Sequence, residues 1–124
     1  MASLVLLYLG GLLPVVWGIA HLFPTKNVVA GFGDISLDNR RIITMEWLVE
    51  GVALIFVGVL VALATYIDYT STVSQAVYWA SFAELNVLSI VSLMTGFKVN
   101  FLPFKLCPAI LTGASLLIAL GVCL

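Results

Sequence analysis
The sequence predicts an all-α integral membrane protein, an antiparallel four-transmembrane-helix bundle forming a single domain over residues 1–124. Three observations carry this. Hydrophobic residues make up 63% of the chain and charged ones only 9%, with a mean hydropathy of +1.22, outside the range of soluble globular domains. The apolar residues gather into four runs, at about 2–22, 41–65, 75–96 and 106–124, each near the ~20 residues a helix needs to cross a bilayer. The connections after the second and third runs are short, which makes consecutive helices antiparallel neighbours.

The first run carries no charge before His21, and Gly10, Gly11, Pro14 and Gly18 interrupt it. A kink is expected near Pro14. Gly11, Gly18 and His21 share a broad face with Trp17, where a neighbouring helix or a ligand can approach the backbone. The run begins without the basic residues of a signal peptide and lacks a small-residue cleavage site, so it reads as a retained span. The connection Phe23 to Arg41 is the longest and most polar, holding Lys26, Asp34, Asp38, Arg40 and Arg41. Asp38 is expected to cap the second helix. The apolar stretch Val28 to Phe32 is expected either to lie in the interface or to fold back over the bundle.

The second run carries Glu46 and Glu50, one turn apart on one face, followed by Gly51, Gly58 and Ala62 as a small-residue packing stripe. Tyr66, Tyr69, Tyr78 and Trp79 surround the next connection as an interfacial aromatic belt. On the third run, Ser81, Glu84, Ser92 and Thr95 fall within about a quarter of the helix circumference, a polar face expected to look into the bundle. The fourth run carries no ionisable group except its cysteines and reads as structural. Cys107 and Cys123 lie roughly 24 Å apart along that one helix and cannot pair within it.

All five Lys and Arg residues flank the first and third connections. The basic bias predicts loops 23–41 and 97–105 in the cytoplasm and both termini outside. Five scattered basic residues with a net charge of −1 exclude a nucleic-acid footprint, which needs a clustered basic face.

Ionisable groups inside a span cost about 2.5–3.5 kcal/mol each on insertion scales and therefore mark function by default. Counted along each span, Glu46 lies roughly 6 Å deep, Glu50 roughly 12 Å and Glu84 roughly 18 Å, with His21 at the boundary. Carboxylates clustered in a low dielectric retain some protons at neutral pH, and a neutral acid beside an ionised one suits general acid–base chemistry. The candidate catalytic residues are Glu50, Glu84, Glu46 and His21. Trp17, Trp47, Ser81, Asn86 and Ser92 are the candidate substrate contacts, the tryptophans supplying π faces for an apolar cavity. The alternative for Glu46 is an ion pair with Arg40 or Arg41, and for His21 a hydrogen bond to a backbone carbonyl.

No metal and no cofactor is expected: with one histidine in the chain, the Glu-x-x-His repeat of bundle metal sites is lacking. No serine has an argued base and oxyanion partner.

The four-span architecture is similar, at the level of the fold, to the small multidrug exporters and to the sterol-isomerase-like group, which places His, Glu and Trp in a membrane cavity. The exporters' key glutamate lies in the first span, where this chain has none, and the isomerase group is longer. No residue role is carried over from either. Three readings follow: an intramembrane acid–base enzyme of isomerase, cyclase or epoxide-opening type on an apolar, lipid-soluble substrate; a proton-coupled small transporter working as a homodimer; or a non-catalytic membrane subunit.

Overall fold
The computed structural model describes residues 1–124, the side chain of Ala2 excepted. Among the described residues it is all-helical, with no strand. The helices are α1 (Ala2–Leu22), α2 (Thr25–Ala30), α3 (Leu37–Asp68), α4 (Thr72–Met94) and α5 (Leu102–Cys123), with a 3₁₀ turn at Gly96–Lys98. Four of these helices, α1, α3, α4 and α5, are long and apolar enough to cross a membrane.

Local chemistry sets the boundaries. The helix α3 begins at Leu37 because Ser36 accepts a hydrogen bond from the Asn39 amide at 3.1 Å, so Asp38 stands in the first turn and is not the cap. Ser71 caps α4 in the same way, accepting from the Ser74 amide. Pro103 sits in the first turn of α5, where its missing N–H costs nothing. Gly33, between α2 and α3, has φ 73°, a left-handed conformation that side chains with a Cβ rarely adopt. At ~48 Å, α3 is longer than the ~30 Å hydrocarbon core, since hydropathy delimits the apolar stretch whereas the caps delimit the helix.

Each long helix buries one narrow stripe. Leu7, Leu54, Val61, Tyr78, Leu85, Leu111, Ala114 and Ile118 form the shared core. The helices α1 and α3 meet through glycine: a Cβ at Gly11 would lie 2.9 Å from the Gly58 carbonyl oxygen, and one at Gly18 would lie 2.7 Å from that of Gly51. Gly10 and Gly121 make room in the same way for Ile118 and Leu7 across α1 and α5. Such small-residue contacts let backbones approach where lipid supplies no hydrophobic drive. Hydroxyls join the remaining pairs. Ser89 of α4 donates to the Pro108 carbonyl at 3.0 Å and meets the Thr112 hydroxyl at 2.8 Å, on α5.

Between α3 and α4 the side-chain hydrogen bonds lie at one end only. Ser74 donates to the Ala64 carbonyl, and Tyr78 meets Thr65 at 3.0 Å. Thr65 spends its single proton on the Val61 carbonyl, so the Tyr78 hydroxyl is the donor. Tyr78 is therefore fully buried and does not belong to the aromatic belt expected of it, while Tyr66 and Trp79 are exposed.

Candidate functional site
At the opposite end, near the first and third connections, the helices form a partly open cavity of about 480 Å³. Its size falls within the 300–1,000 Å³ usual for small-molecule sites. The wall comes from every helix: Trp17 and His21 of α1, Val28 of α2, Trp47 and Glu50 of α3, Leu88, Val91 and Ser92 of α4, and Phe104 and Cys107 of α5. It is mostly apolar, with hydroxyls of Ser92 and Thr95 on the α4 side and one ionisable corner, where His21 and Glu50 stand together.

That corner is built by a clasp between α1 and α3. The Trp47 indole donates to the His21 carbonyl at 2.8 Å, and His21 Nε2 lies 3.0 Å from the Trp47 carbonyl. The two rings stack with centroids 3.8 Å apart and planes 16° from parallel. Since His21 lies in the last turn of α1, its carbonyl is one of the four that the helix itself leaves without a donor, and the indole supplies one. Thr25 serves the next, donating to the Leu22 carbonyl. A carbonyl only accepts, so Nε2 carries a proton and Nδ1 is left as the nitrogen with a lone pair in the neutral ring.

Glu50 Oε2 lies 3.5 Å from His21 Nε2. The two side chains differ in exposure, His21 at 11% and Glu50 at 51%, so the imidazole is fixed in the wall and the carboxylate reaches free space. Trp47 also meets Phe104 edge-on, at 6.0 Å and 71°, and Phe101 stands 5.9 Å from Phe104. Aromatic rings, an acid and an imidazole thus line one largely apolar volume.

The residues singled out from the sequence divide. Glu50, His21, Trp17, Trp47 and Ser92 line the cavity. Glu84 does not, because it is exposed on the outside of α4, so it stands apart from Glu50 and does not look into the bundle as its polar face is expected to. The buried stripe of α4 runs through Ser74, Tyr78, Ser81, Leu85 and Ser89, and at 100° per residue Glu84 points roughly 100° away from its centre. Ser81 is buried in that stripe but does not reach the cavity, and Asn86 turns back to the Phe82 carbonyl of its own helix. Glu46 is exposed and outside the cavity, and Arg41 approaches Asp38, at 3.7 Å, not Glu46.

The depth assignment also changes. Leu22, at the end of α1, packs against Gly51, so α3 extends more than two turns past α1 and His21 stands level with Trp47 and Glu50, not shallower. The third connection and the start of α5 supply Phe101, Leu102, Pro103 and Phe104, which went unrecognised. Their signal was the pair of phenylalanines around a proline at a helix start. Among the described residues no group of three or more His, Cys, Asp or Glu stands close enough to hold a metal ion. No family model, curated protein or solved structure matches the chain.

Proposed function
We propose that the chain is an integral membrane protein whose four long helices insert as an antiparallel bundle, and that it binds an apolar, lipid-soluble small molecule and acts on it by proton transfer through Glu50. The observation that carries this is the apolar cavity with a single acidic corner, since a packed scaffold has no use for a void of that size and a surface acid has no aromatic wall. The pairing order of the contacts, Gly11 with Gly58 and Gly18 with Gly51, supports the antiparallel arrangement.

In this reading Glu50 takes or gives the proton. It is the cavity's only carboxyl group, it reaches free space, and acid–base work requires a group within hydrogen-bond reach of the substrate atom. His21 is a positioning residue: its Nε2–H is aimed at the Trp47 carbonyl and toward Glu50, so it orients the carboxyl group toward the cavity. Trp17, Trp47 and Phe104 exclude water and present π faces to positive charge that develops when a carbon is protonated. Isomerisation or cyclisation of an unsaturated hydrocarbon skeleton is the chemistry that one acid in such a setting performs.

Carbon-bound deuterium tests it without knowledge of the substrate. Membranes containing the protein, incubated in D₂O with a lipid extract of the host, should label an apolar component that mass spectrometry detects. Glu50→Gln should abolish the label with the protein still folded, and Glu84→Gln should keep it. Equal labelling by wild type and Glu50→Gln would sink the reading.

A further inference from the structure
Glu84 remains without a role. It lies about ten residues and ~15 Å from the end of α4 at Met94, in the middle of a helix long and apolar enough to cross a membrane. It is exposed, and among the described residues it has neither a hydrogen bond nor an ion pair. Ionisable residues at such a depth almost always face a bundle interior or pair with one another, because acyl chains offer no hydrogen-bond partner. Within one copy of the chain neither condition is met.

We propose that Glu84 is the centre of an interface with a second copy of this chain, in which two α4 helices pack side by side about a two-fold axis along the membrane normal and the two Glu84 carboxyl groups bond to each other. A two-fold interface is the arrangement in which one residue meets its own copy, so the same acid supplies both halves of the pair. A protonated carboxyl has one donor and spare acceptors, and two of them satisfy each other reciprocally. The surroundings suit close approach. Val77, Ala80, Glu84 and Val87 follow the alternating three-and-four spacing of a helix–helix seam with Glu84 within it, Ala76 and Ala83 lie beside that seam, and all of these but the half-buried Val77 are exposed. Small side chains at that depth bring the helix axes near enough for two short glutamate arms to meet. The cavity is not part of this surface, since Glu84 and the three alanines are absent from its wall.

The inference rests on the membrane placement proposed above and not on the chemistry at Glu50. The full chain, fused to a fluorescent protein and reconstituted into phospholipid vesicles at falling protein-to-lipid ratio, is followed by flotation and by single-molecule photobleaching. Wild type should float with the vesicles and bleach in two steps at densities where chance co-occupancy is negligible. Glu84→Leu should move the dimer–monomer midpoint to about tenfold higher density, as expected for losing a pair of intramembrane hydrogen bonds. Glu84→Gln should keep most of the dimer, because two amides bond as two acids do. A chain that floats but bleaches in one step, or an unchanged midpoint in Glu84→Leu, overturns the pairing alone. A chain that fails to float overturns the transmembrane reading and the pairing with it.

Discussion
The side chain on which the site turns is Trp47, because it serves packing and polarity together. Its indole N–H satisfies a helix-end carbonyl, its own carbonyl receives His21, and its ring forms part of the cavity wall. Trp47→Phe keeps an aromatic face but removes the donor, leaving the half-buried His21 carbonyl short of a partner. An unsatisfied buried acceptor costs about 1–3 kcal/mol. The unfolding temperature in detergent should fall, and deuterium labelling should weaken as Glu50 loses the orientation that His21 gives it. A variant as stable as the parent would mean that water replaces the indole and that the clasp holds nothing together. This pair was only half legible in the sequence. His21 and Trp47 stand out as single residues in apolar runs, but they lie 26 positions apart and their reciprocal bonds depend on how far α3 extends past α1.

Among the elements, α1 and α3 are held closest, and glycine makes that contact possible. A Cβ at Gly58 would collide with the Gly11 carbonyl oxygen and with Val15. Gly58→Leu should therefore part the two helices and cost about 1–3 kcal/mol or more, as overpacking of a filled interior does. Gly113 of α5 is the control, with nothing within 4 Å of the Cβ position, so Gly113→Ala should be neutral or slightly stabilising through helix propensity. Equal thermal stability of Gly58→Leu and the parent would contradict the packing. The glycine stripes were readable because small residues repeated at helical spacing have one common use in membranes. The rotation of α4 was not. Ser81 and Ser92 lie on the same side as Glu84 to within a quarter turn, and reading the acid as part of that face turns the whole stripe toward it. Burial follows Ser74, Tyr78, Ser81, Leu85 and Ser89, since a hydroxyl enters a core cheaply once its proton has an acceptor, as Ser74 has in the Ala64 carbonyl and Ser89 in that of Pro108, whereas a carboxyl requires a partner.

For the whole molecule, the distribution of charge predicts the direction of the proposed membrane insertion. Lys26, Arg40 and Arg41 flank one end of the bundle together with Lys98 and Lys105, and no Lys or Arg lies in residues 69–71 or near either terminus. At that end Lys105 bonds the Phe97 carbonyl and its ammonium lies 4.6 Å from the Phe97 ring centre, which holds the third connection compact and its charge at the boundary. On the proposed membrane placement, the positive-inside bias predicts the cavity's end in the cytoplasmic half and the Asp68–Ser71 connection outside. Thr70, exposed in that connection, takes a reporter cysteine without removing the Ser71 cap of α4. In a background with Cys107 and Cys123 replaced by alanine, a membrane-impermeant maleimide added to intact cells should label Thr70→Cys. The same reagent should label Asn100→Cys, exposed at the other end, only after the cells are opened. The opposite pattern would invert the molecule but leave the bundle and the cavity unchanged, and it would move the proton supply of Glu50 from the cytoplasm to the exterior.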